Sequence, residues 1–144
     1  MALFLASFFL IFSLMHAYVF LKARAAFPFG HGAGVPVALI MVFLILAPVA
    51  SRILERQGAE TAARFVSWGG YLWLGFMFFM VFSLLAVDLY RGLAHLAGVA
   101  AGRDLSAYVP GVKAAFLVPV ALSCAVTAWG LALAMVSPAL ATSS

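Results

Sequence analysis

The stretch FVSWGGYLWLGFMFFMVFSLLAV, residues 65–87, decides the fold of this chain. It carries no charged side chain, and it is long enough to span a bilayer as a helix. A hydrocarbon core of about 30 Å needs about 20 predominantly apolar residues in helical form. Three further stretches meet the same test, at residues 2–21, 33–51 and 114–136. Across all 144 residues, 67% are hydrophobic and only 8% are charged. No water-soluble domain of that length buries so much apolar surface, so lipid is the solvent for most of the chain.

The expected fold class is therefore an all-α integral membrane protein, a four-transmembrane-helix bundle. It forms a single membrane domain over 1–144, with spans at about 2–21, 33–54, 65–90 and 114–136. Four helices with short connections use nearly all of this length, leaving no room within it for a soluble catalytic domain. The chain carries eight Lys and Arg against four acids, a formal net charge of +4. On a soluble protein that balance would suggest nucleic acid. Here the basic residues lie in or near loops, where membrane proteins place them, and no nucleic-acid partner is expected.

Moving outward from the third segment, Trp68, Tyr71 and Trp73 open it as interfacial rings do, and Phe76, Phe78, Phe79 and Phe82 fill its apolar centre. Before it, Gly58 is a candidate C-terminal cap for the second helix, and Glu60 falls in the first turn of the third. Segments two and three then form a tight helical hairpin. Pro48 lies well inside segment two and is expected to kink it. Residues 27–36, punctuated by Gly and Pro, read as a loop, with Pro36 suited to the first turn of the next helix. After segment three, Leu93, Leu96 and Val99 recur at near-helical spacing. They predict a helical extension out of the membrane, then a turn around Gly102–Asp104. Segment four carries small residues at four-residue spacing (Ala121 with Ala125; Cys124 with Ala128 and Ala132; Gly130 with Ala134), a pattern that lets membrane helices approach closely. Cys124 is the single cysteine and reads as a small core residue. No internal repeat is visible, so a transporter-style duplication is not supported.

Four spans put both termini on one side. Loops one and three carry Lys22, Arg24, Arg91, Arg103 and Lys113, whereas loop two carries Arg52, Arg56 and Arg64. Lys and Arg favour the cytoplasmic side, so the expected orientation has both termini extracytoplasmic. No basic residue precedes segment one, which argues against a cleaved signal peptide. Near the other end, Ala139-Leu140-Ala141 resembles a signal-peptidase site. The apolar run before it is long for a signal peptide, and an uncleaved anchor is the favoured reading.

Chemistry-bearing residues are few. A bis-histidine haem needs two histidines at matching depth, and His95 lies several residues further out than His16. His16 is read instead as a hydrogen-bonded structural histidine, and His31 as a solvated one. No HExxH, CxxC or clustered carboxylate pattern occurs, so no catalytic, cofactor or metal residue is assigned. The glycines of residues 30–34 are not followed by Lys-Ser/Thr and do not make a phosphate loop. Asp88 is more informative, because an acid at the end of a long apolar helix is costly unless paired. Asp88, Arg91 and His95 fall at i, i+3 and i+7 on one helix face, and Lys22 and Arg24 are expected near the same membrane surface. Together with His16 these residues form a candidate interfacial polar cluster. It reads first as ion pairing that fixes helix depth, and second as an anion-binding or proton-linked group.

Four segments carry a resemblance. They are residues 15–28 (MHAYVFLKARAAFP), 47–58 (APVASRILERQG), 70–76 (GYLWLGF) and 88–91 (DLYR). Together they resemble the N-terminal membrane region of bacterial membrane-bound metallophosphoesterases of the calcineurin-like superfamily, over essentially the whole chain. The resemblance implies membrane helices preceding a soluble two-metal phosphoesterase domain. That family's catalytic signatures, Asp-x-His, Gly-Asp-x-x-Asp, Gly-Asn-His-Asp/Glu and Gly-His-x-His, do not occur here, so no catalytic residue carries over. The leading expectation is a non-catalytic domain of a bacterial inner membrane. It would anchor or organise a partner or a downstream phosphoesterase domain, alone or as a homo-oligomer. The rivals are a subunit of an oligomeric transporter or channel, and a haem or quinone redox subunit. For the transporter, the spans offer few polar side chains: Ser7, Ser13, His16, Ser83, Ser123, Thr127 and Asp88.

Overall fold

A computed structural model describes the backbone of residues 2–141 and the side chains of residues 3–136. The fold is all-α, with no strand among the described residues. Helix α1 runs Ala2–Ala26, α2 His31–Arg56, α3 Glu60–Ala101 and α4 Val112–Ala141. A short 3-10 turn, Ser106–Tyr108, lies between α3 and α4. All four long helices are apolar enough to cross a membrane, with mean hydropathy from 2.0 to 2.5. The chain divides into two compact units, residues 1–77 and 78–144.

Each helix is longer than its apolar run, because capping and not hydropathy sets where a helix stops. Two helix ends show this. After α2, the Gly58 amide donates to the Glu55 carbonyl at 3.1 Å and the Ala59 amide to the Leu54 carbonyl at 3.0 Å. Gly58 takes φ 78°, which closes a Schellman motif. After α3, Gly102 at φ 60° does the same, with Arg103 donating to the Gly98 carbonyl at 3.0 Å. The cap at Gly58, the early Glu60 and the turn beginning at Gly102 agree with the expectation from sequence.

The loop before α2 is shorter than expected. Helix α2 already begins at His31, so Pro36 lies in its second turn and not in its first. The Gly30 carbonyl starts the helix by accepting from the Ala33 and Gly34 amides. The Phe29 ring then packs edge-on to Phe20 at 5.9 Å, over the bare backbone of Gly34. Helix α2 continues through Pro48 as one element, and the Ser51 hydroxyl donates to the Pro48 carbonyl at 3.0 Å.

Within the first unit, α2 and α3 approach closely at Gly70, where a Cβ would sit 3.2 Å from the Ala47 methyl. That is the close approach small residues permit in membranes. It occurs here and not on the small-residue rows expected to provide it, because Ala121, Ala125, Cys124, Ala128, Ala132, Gly130 and Ala134 all face outward. The buried face of α4 carries Ala115, Pro119 and Ser123, one row round the helix. Cys124 is therefore exposed, not a core residue: it is one position, about 100° of helix turn, away from Ser123. In the second unit, the Ser123 hydroxyl lies 3.9 Å from the Met80 sulfur, and both side chains are fully buried. The side chains of the cleavage-like Ala139-Leu140-Ala141 lie outside the described residues.

Candidate functional sites

Among the described residues, the first unit buries two polar side chains, Ser51 on α2 and the titratable His16 on α1. His16 is 3% exposed. Its Nδ1 lies 2.8 Å from the Phe12 carbonyl oxygen, one turn back on α1. A carbonyl only accepts, so Nδ1 carries the proton. Nε2 then accepts from the Trp73 indole N–H at 2.8 Å. Both ring nitrogens are engaged and the imidazole is neutral, as a buried histidine requires. Phe12 adds an edge-on ring at 4.5 Å, and Phe76 stacks on Trp73 at 5.4 Å. Trp73 is half-buried and ties α3 to α1. Trp68 and Tyr71, at 52% and 73% exposure, face outward.

This geometry agrees with the reading of His16 as a hydrogen-bonded structural histidine. A metal or haem iron would need the Nε2 lone pair that the indole already uses. Among the described residues, no group of three His, Cys, Asp or Glu side chains stands close enough to hold a metal. Of the remaining cluster residues in this unit, the Lys22 ammonium lies 5.6 Å above the Tyr18 ring. Arg24 lies in the last turn of α1 and lines a small cavity with Phe20, Phe29 and His31.

The same unit contains a cavity of about 490 Å³ between α1, α2 and α3. Phe8, Phe12, Leu44 and Leu74 make its apolar wall, and Ser51, Arg52, Glu55 and Tyr71 add polar groups. Pro48 also lines it. Lacking an N–H, Pro48 leaves the Leu44 carbonyl without its helical donor at this wall.

The second unit contains Asp88, Arg91 and His95 on the outgoing part of α3. Asp88 is half-buried one turn nearer the membrane, whereas Arg91 and His95 line a cleft of about 860 Å³. The far wall of the cleft is the returning chain, which contributes Arg103, Leu105 and Pro110. Two features fold that chain back. Gly98 lets the Arg103 carbonyl come so close that a Cβ would stand 2.9 Å from it. Below, the Tyr90 hydroxyl donates to the Tyr108 carbonyl at 2.9 Å. Asp104 accepts from the Ser106 amide at 2.9 Å, and this hydrogen bond holds its carboxyl below the usual carboxylate range.

Sequence reasoning missed Trp73 and Arg103. Trp73 could have been suspected, since a histidine buried in lipid needs a second partner from another helix. Arg103 carried no local signal beyond its charge. Comparison with protein-family models, with curated proteins and with solved structures finds no match.

Proposed function

We propose that this chain is a non-catalytic membrane domain that anchors or organises a partner, or a downstream metallophosphoesterase domain. The observation that carries the reading is the state of His16. The most deeply placed reactive side chain of the first unit is held neutral, with both nitrogens used to join two helices. Chemistry that could turn over a substrate or carry a haem is here committed to packing. The words of sequence that resemble the metallophosphoesterase membrane region support the same reading, and with it a bacterial inner-membrane location. Loop charges support both termini on the extracytoplasmic side. Asp88 belongs to this role: its carboxylate at the end of an apolar run marks the depth at which α3 leaves the membrane, with Arg91 three residues on along the same helix face as its local basic neighbour.

Expressed in bacteria and purified in mild detergent, the chain alone should show no metal-dependent turnover of an aryl phosphate. Turnover that follows the pure protein and requires a divalent metal would refute the proposal.

A further inference from the structure

The cleft beside the outgoing part of α3 has features that anchoring does not require. Two guanidinium groups and an imidazole, from Arg91, His95 and Arg103, line it against a single carboxylate. That carboxylate, Asp104, is turned to the Ser106 amide. The cleft is therefore net cationic, and its one acid is already engaged by a backbone donor.

Its depth is specific. Arg91 is four residues past Val87, the last residue of the apolar run, or roughly 6 Å along the helix. The polar headgroup layer occupies about that interval outside the hydrocarbon core. Arg103 belongs to a later, more distant part of the chain, but the turn at Gly98 and Gly102 folds it back onto the same cleft. On the hydrocarbon side of the cleft, Leu89 and Leu85, 64% and 49% exposed, form an outward-facing apolar strip that continues the surface of the span. A cationic cleft at headgroup depth next to an apolar row matches an amphiphile with an anionic head and acyl chains.

We propose that Arg91, His95 and Arg103 form a binding site for the phosphate of an anionic phospholipid, whose chains run back toward the hydrocarbon along Leu89 and Leu85. The guanidinium groups suit this ligand because each can give two parallel N–H donors to a phosphate. The site requires only that α3 spans the membrane. It does not depend on the anchoring role or on the orientation.

The test is retention of lipid by the purified full chain, read by native mass spectrometry. Phosphatidylglycerol and phosphatidylcholine of identical chains are supplied together. Wild type should keep phosphatidylglycerol in preference. Each of Arg91→Gln and Arg103→Gln should lose about fivefold of that preference, and the double variant roughly 25-fold, as expected for one surface cation per step. The matched double variant Arg52→Gln with Arg56→Gln, in the first unit, should keep it. The single variants keep the test decisive if the double variant does not fold. Equal retention of the two lipids, or an unchanged preference in the Arg91 and Arg103 variants, would overturn the site. Displacement of bound phosphatidylglycerol by millimolar inorganic phosphate would overturn the lipid as its ligand and point to a soluble phosphate ion.

Discussion

His16 and His95 are the same residue type on two long apolar helices, and the two units treat them in opposite ways. In the first unit the imidazole is enclosed, neutral and bonded at both nitrogens, 2.8 Å from a carbonyl on one side and 2.8 Å from an indole on the other. In the second unit the imidazole is exposed on the wall of an open cleft, with two arginines lining the same cleft. What separates them is the partner each backbone brings. An antecedent carbonyl is available to any helical histidine, but only the first unit supplies an indole at the right depth. Where that donor exists the histidine is structural. Where a returning chain supplies Arg103 instead, the same side chain joins a cationic surface.

The largest expected effect tests this contrast directly. Trp73→Phe keeps the ring but removes the donor, leaving the buried Nε2 unsatisfied. It should cost about 1–3 kcal/mol, seen as a fall in the Tm of the purified protein in detergent. His95→Ala, on the exposed cleft, should change stability by no more than about 0.5 kcal/mol. Similar losses from both variants would break the distinction between the units.

A smaller effect sharpens what builds the cleft. Gly92 and Gly98 lie six residues apart on α3. A methyl added at Gly92 meets nothing within 4 Å, whereas one at Gly98 would press on the Arg103 carbonyl at 2.9 Å. Gly92→Ala should therefore stabilise by about 0.5–1 kcal/mol through the better helix former. Gly98→Ala should destabilise by about 1 kcal/mol, since the returning backbone must move. Thermal unfolding of the pair reads both signs. A gain at both positions would mean that the chain does not return tightly at Gly98.

Much of the architecture was legible because its signals are sums or local rules. Hydropathy adds over 20 residues, so the four spanning helices survive any single odd position. Gly58 and Gly102 announce helix ends because left-handed backbone favours glycine strongly. Faces were not legible. The small-residue rows of α4 suggested a packing surface, yet Ala115, Pro119 and Ser123 are the buried row and Cys124 faces out. Which face is buried depends on the partner helix, and residue size alone does not encode it. The His16–Trp73 bond joins residues 57 apart, so no local spacing contains it. Arg103 joins the cleft only because the chain reverses at Gly98 and Gly102, a tertiary event. The interfacial cluster was legible in part: Arg91 and His95 do line one cleft, joined there by Arg103.

The central claim is that lipid is the solvent for four spanning helices. The most direct measurement places single cysteines at Gln57, in the turn after α2, and at Ser106, in the turn after α3, in a Cys124→Ala background. An impermeant thiol reagent is added to intact cells and again after lysis. The account predicts labelling of position 57 in intact cells and of position 106 only after lysis, because α3 carries the chain across the bilayer between them. Labelling of 106 and not 57 would reverse the orientation, and labelling of both in intact cells would contradict the four-span account itself.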